Sequence, residues 1–128
     1  MAYGTLAVDT VQSSTAGTPP QFNDGNGTQI GTLCRAWVNF NGTTSAIRAS
    51  FNVSSITKNG TGDYTLNFTN ALSDANYSCV FTGSVSGARI VAINDSAAVP
   101  TASACRIAVC TTGGVATDTA YITVSIFR

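Results

Sequence analysis

The chain has 128 residues, of which 44% are hydrophobic and only 9% charged, with a formal net charge of zero; an ordinary soluble domain carries about 25% charged residues. So neutral a surface has no electrostatic grip on a phosphate backbone, which excludes a charge-driven nucleic-acid binder. It also offers little repulsion to keep copies apart.

Residues 1–30 stand apart from the rest. Tyr3, Leu6, Val8 and Val11 are scattered among small polar residues, and residues 13–20 form a Ser/Thr/Gly run ending in Pro19 and Pro20. The double proline removes two backbone donors and disfavours helix before it, so an extended arm is predicted. Its apolar side chains exceed what a disordered tail requires, which makes Tyr3, Leu6, Val8 and Val11 a candidate anchor along a neighbouring subunit. The Asp and Asn spacing in residues 22–28 is faintly like a calcium loop but lacks the later acidic ligands, so a turn is predicted there.

From residue 31 the hydrophobic period becomes two, the mark of half-buried strands. Three short strands are predicted between residues 31 and 77. In the first, Cys34, Ala36, Val38 and Phe40 alternate with Arg35, Trp37 and Asn39; the middle one carries Phe51; in the third, Tyr64, Leu66 and Phe68 alternate with Asp63, Thr65, Asn67 and Thr69. Residues 59–63 close a hairpin whose glycines supply positive φ. Further strands are predicted at residues 79–82, 88–93, 104–111 and 118–127, the last with Ala120, Ile122, Val124 and Ile126 on one face, and a loop with Pro100 at residues 94–102. About eight strands, with turn signals roughly every ten residues and no helical stripe, predict an all-β fold. The expectation is a single jelly-roll-like β-sandwich over residues 31–128 behind an N-terminal arm of residues 1–30.

The aromatic residues divide by parity. Phe40, Phe51, Phe68 and Phe81 are assigned to the core. Trp37 has the opposite parity from Val38 and Phe40, and three roles are open to it: closing the second face of the sandwich, packing at a subunit interface, or stacking on a sugar. Tyr64 is expected to expose its hydroxyl beside the glycine-rich hairpin, and Tyr77 to be structural. A chain ending directly on its last strand, with so few charges, predicts an oligomer that covers sheet edges and apolar faces.

Chemistry is poorly provided for. Histidine and glutamate are absent, and the six aspartates fall in arm, turn or loop contexts, so neither a nucleophile with its base nor a carboxylate pair is in view and no enzyme is expected. Lys58 is the only lysine and the arginines are dispersed; Arg35 and Arg48 are instead candidates for hydrogen bonds to carbonyls or aspartates between subunits. Cys34, Cys79, Cys105 and Cys110 lack metal-ligand spacing. They are expected to be buried free thiols, with one disulfide formed after host lysis as the alternative, and not between Cys105 and Cys110, whose odd spacing sends them to opposite sides of a strand. No signal peptide and no bilayer-spanning run is present, so the chain is expected to stay soluble where it is made, without membrane insertion. Asn-x-Ser/Thr triplets, such as those at Asn26 and Asn67, are read as a product of Asn-, Ser- and Thr-rich outer faces.

As a string, residues 35–43 (RAWVNFNGT), 46–57 (AIRASFNVSSIT), 59–69 (NGTGDYTLNFT) and 71–77 (ALSDANY) resemble a block found in virion structural proteins of tailed bacteriophages, particularly those of cyanobacteria and other aquatic hosts. There the block occurs in fibre or spike tips and in small capsid-surface proteins. The likeness covers roughly the middle third of the chain. It implies a virion protein made in the host cytoplasm and a homotrimer, since such tips and spikes are commonly threefold, and it brings with it no catalytic residue, metal or cofactor. The resulting expectation is a capsid decoration (cement) protein that sits on the outer capsid surface, binds the major capsid protein and reinforces the shell. The alternative is the tip module of a tail fibre or tailspike that binds host glycans. A fibre carries a long shaft ahead of its tip, and about 30 residues precede the block, which favours the capsid. In either case Asn41, Thr43, Asn59 and Asp63 mark candidate host-contact loops, and Arg35, Trp37 and Arg48 a candidate subunit interface or core.

Overall fold

The structure, a computed structural model, describes residues 4, 6–15, 19–84 and 88–128. The chain forms two compact units, Met1–Leu33 and Cys34–Arg128. In the first, β1 (Phe22–Asn23) pairs antiparallel with β2 (Gln29–Gly31). Their turn is held by Asp24, whose Oδ1 accepts from the backbone N–H of Asn26 and of Thr28 at 2.9 and 2.8 Å. The aspartate thus spends its oxygen on the backbone, as Asp does in an Asx-turn. Leu6, Val8 and Val11 are exposed within their unit; Tyr3 lies outside the described residues.

The described residues of the second unit form eight strands in two four-stranded antiparallel sheets. One runs β4 (Ile47–Phe51), β3 (Cys34–Phe40), β10 (Ile122–Phe127), β7 (Ser78–Gly83); the other runs β5 (Val53–Gly60), β6 (Asp63–Phe68), β9 (Ala104–Thr111), β8 (Arg89–Ile93). The fold is all-β, a sandwich. Period-2 alternation dictates its interior: Ala36, Val38 and Phe40 of β3 with Ile122, Val124 and Ile126 of β10 face Tyr64, Leu66 and Phe68 of β6 with Cys105, Ile107 and Val109 of β9. All twelve are buried, and burying each large apolar side chain contributes about 2 kcal/mol. They occupy the two central strands of each sheet, where both neighbours exclude water; the edge strands β4, β5, β7 and β8 are more exposed.

Three local expectations are corrected. The middle strand is two strands, because Asn52 takes a left-handed φ of 56° and turns the chain from one sheet into the other. The corner is clamped: Asn52 Nδ2 donates to the carbonyls of Arg35 and Asn70 at 3.1 and 3.0 Å, and its Oδ1 accepts from Asn70 N–H at 2.8 Å. Asn is the residue that tolerates this backbone best after Gly. The last strand begins at Ile122 and not at residue 118, since Asp118 is drawn into the network described below. Phe51 is not core; it pairs with Trp37 across the β3–β4 ladder and is 54% exposed.

Candidate functional site

Two features of the second unit can meet a partner: the loop end that carries the hairpin glycines, and the outer faces of the two sheets. At the loop end, residues 41–46 follow β3, Thr61 and Gly62 join β5 to β6, and residues 112–121 join β9 to β10. Their side chains barely touch a common core, so polar contacts must fix them. Tyr64 supplies the first. It shares the inward parity of Leu66 and Phe68, is fully buried, and meets Phe40 edge-on with ring centroids 5.3 Å apart. A buried phenol needs an acceptor. Its hydroxyl lies 2.5 Å from Asp118 Oδ1 and 2.8 Å from Gly42 O. One proton serves both, and the charged, nearer carboxylate is the principal acceptor. The expectation of an exposed Tyr64 hydroxyl is thereby corrected: the strand period, and not the nearby glycines, sets its side.

Asp118 is the hub. Its Oδ1 also accepts from Gly62 N–H at 2.9 Å, and Oδ2 is 2.5 Å from Lys58 Nζ. Lys58 reaches inward from β5, opposite Tyr64 in the ladder, and also donates to Thr43 O at 3.3 Å. Burial works against the charge on Asp118, but Lys58, Tyr64 and Gly62 outweigh it and hold the carboxyl below its usual range. Burial, with the neighbouring carboxylate, pushes the Tyr64 phenol well above its ordinary value, so it stays a donor. Two glycines are required here. A Cβ at Gly42 would lie 2.7 Å from Thr119 O and from Ile122 Cδ1; one at Gly62, whose φ is +66°, would lie 2.2 Å from Val109 O.

The network brings the expected host-contact loops together. Thr43 lends its carbonyl to Lys58, and Asn41 Oδ1 accepts from Thr43 N–H at 2.9 Å. Asn59 and Asp63, however, are engaged on the outer face of the β5–β6–β9 sheet. Asp63 opens β6 rather than lying in a loop, and Arg106 grips it from Nε and from a terminal nitrogen at 2.8 and 2.6 Å, which lowers its pKa. Asn59 Nδ2 donates to Thr65 Oγ1 at 2.9 Å. The charged and amide groups of this end are spoken for by the chain itself, so it offers a shaped, rigid polar surface and no unengaged acid or base among those named. Among the described residues no group of three or more His, Cys, Asp or Glu is placed to hold a metal ion, and no helix is long and apolar enough to cross a membrane.

The two outer faces differ in kind. Over β5 and β6 the face is a polar ladder, in which Asn67 Nδ2 donates to Ser55 Oγ and Thr57 Oγ1, each at 3.0 Å. On the other sheet, the ladder places Phe51, Trp37, Ser125 and Val80 side by side in one row across all four strands. Phe51, Trp37 and Val80 are 54, 38 and 57% exposed, and the row holds no charge. Trp37 is thus on the outer face and not in the core, because Ala36, Val38 and Phe40 take the inward positions. Arg48 closes one end of this face. Its guanidinium lies 3.9 Å above the Tyr121 ring and donates to Ala120 O at 2.7 Å and Asn39 Oδ1 at 3.3 Å. Arg35 lends its carbonyl to the Asn52 corner.

Sequence reasoning missed Lys58 and Asp118. The signal was present in part: a tyrosine with core parity demands a buried acceptor, and Asp118 is the aspartate just ahead of the final strand. Comparison with known proteins adds nothing to this geometry: no family model, no curated protein and no solved structure matches the chain.

Proposed function

We propose that this protein is a capsid decoration protein of a tailed bacteriophage, a homotrimer that binds the major capsid protein on the outer surface of the virion and reinforces the shell. The observation that carries the reading is the asymmetry of the sandwich. Over β5 and β6 one outer face is a hydrogen-bonded polar ladder suited to water, and the other sheet presents the uncharged row Phe51, Trp37 and Val80, an apolar strip of the sort that marks contact with another protein. The exposed Leu6, Val8 and Val11 of the first unit supply further apolar surface for anchoring. The resemblance of residues 35–77 to virion proteins supports the setting. A subunit that binds only assembled capsid stabilises that state by mass action.

Quantitative mass spectrometry of purified particles tests this directly. A copy number comparable to that of the major capsid protein is expected; a number far below it overturns the capsid assignment. The second reading, a tail-fibre or tailspike tip that binds host glycans, is favoured by one observation, the convergence of residues 41–46 and Gly62 on the Asp118 network. Binding to host polysaccharides that is lost on exchanging residues 43–45 supports it, and no binding across the host's polysaccharides removes it.

A further inference from the structure

Cys79 and Cys105 stand on opposite sheets and both turn inward. Cys79, on the edge strand β7, is opposite Ile126 in its ladder and packs against the core; Cys105, on the central strand β9, is opposite Leu66 and fully buried. Tyr77 sets the two at one level of the sandwich. Its hydroxyl, two residues ahead of Cys79, donates to the carbonyl of Ala104, the residue before Cys105, at 3.0 Å, and its ring meets Phe68 edge-on. The two thiols feel each other: the hydrogen bond to Cys105, with burial, pushes Cys79 up, while the same contact lowers Cys105. All four thiols are free. Cys34 and Cys110 have different neighbours, Phe127 and Ile90, in their ladders.

We propose that Cys79 and Cys105 form a covalent clasp between the two sheets, a disulfide that closes when the protein passes from reducing to oxidising surroundings. This holds whether or not the protein is a capsid component. The oxidant is a small-molecule disulfide. Cys79, the half-buried partner that the reagent can reach, gives up its proton to water and attacks it in its minor thiolate form, slowly because its pKa is raised; the reagent's S–S bond breaks, one thiolate leaves, and a mixed disulfide remains on Cys79. Cys105, as the thiolate, then attacks the Cys79 sulfur and expels the second thiolate. The protein loses two electrons and two protons, and the reagent becomes two thiols. The bond needs the Cβ atoms about 4 Å apart. β7 has a ladder partner on one side only, which makes it the element that moves in.

The experiment uses the unmodified full chain, purified reduced and incubated folded with oxidised glutathione, then digested with free thiols blocked. The expected result is an intramolecular cross-linked peptide pair joining Cys79 to Cys105, and a rise in Tm of about 10 °C, reversed by reductant, from closing the loop between them. A Cys34→Ser/Cys110→Ser variant should behave the same. Four blocked, unlinked thiols after prolonged oxidation, or links made only through Cys34 or Cys110, overturn the proposal.

Discussion

Replacing Tyr64 with Phe removes one oxygen from a side chain that is wholly enclosed and leaves its ring against Phe40 in place. What is lost is the hydroxyl's shared hydrogen bond, chiefly to Asp118, 2.5 Å away, and also to Gly42 O at 2.8 Å. A hydrogen bond to a charged group contributes about 1.5–3 kcal/mol. Asp118 keeps Lys58 and Gly62 N–H, and its side chain is 24% exposed, so water screens part of the loss and the lower half of that range, about 2 kcal/mol, applies. That is roughly a 10 °C fall in Tm. The effect must depend on pH. The pKa of Asp118 is depressed in the folded protein, so the stability it supplies is present above the unfolded value of 3.8 and is lost as pH falls through the folded value. Tyr64→Phe is therefore expected to cost most at pH 7 and less in acid, where wild type has itself lost the charge. Urea unfolding of both proteins at pH 7 and at a series of pH values descending below 3.8 measures this. A difference below about 0.5 kcal/mol at neutral pH, where an unperturbed surface change would fall, or one that does not shrink anywhere in the descending series, refutes the assignment of Asp118 as the charged hub.

Three further outcomes are expected. Gly62→Ala places a Cβ against Val109 O in a left-handed backbone and should destabilise by more than about 2 kcal/mol; an unchanged Tm would show that the turn is free to rearrange. Asn52→Ala removes the three side-chain hydrogen bonds that clamp the sheet-to-sheet corner and should cost about 2–3 kcal/mol, read by denaturant unfolding; Asn52→Asp, which keeps Oδ1 alone, should fall between it and wild type. Replacing Phe51 and Val80 together with Ser should leave Tm within a few degrees, since both are more than half exposed, and should weaken the proposed trimer in sedimentation velocity; association equal to wild type would remove this face from the proposed subunit contact.

The strands β3, β6 and β9 could be read from the chain because their alternation is uninterrupted and both their neighbours are strands, so pattern and burial agree. Edge strands were harder. Residues 46–57 contain no Gly or Pro to mark the corner, and only the left-handed Asn52 divides them, a choice made by its amide contacts with Arg35 and Asn70, 17 and 18 residues away in sequence. Phe51 misled for a related reason: its hydrophobicity names a strand but not a face, and β4 lies at a sheet edge. The loop end was visible as the glycine-bearing hairpin of residues 59–63 and the candidate loop at Asn41 and Thr43. Its hub was not, because Asp118 reaches the Lys58 and Tyr64 pair of the β5–β6 hairpin from 60 and 54 residues away in sequence, a separation that carries no period.

The loop end is fastened mainly through backbone atoms: the carbonyls of Gly42 and Thr43 and the N–H of Gly62 are the groups that Tyr64, Lys58 and Asp118 hold. A backbone anchor is indifferent to most side chains beside it. Thr43 and Thr61 are exposed on these fixed turns, so they can be exchanged for other residues without disturbing the scaffold. The sandwich thus separates what must be kept from what can diversify, and a combinatorial library confined to those two positions would vary the surface chemistry of the loop end on a constant frame.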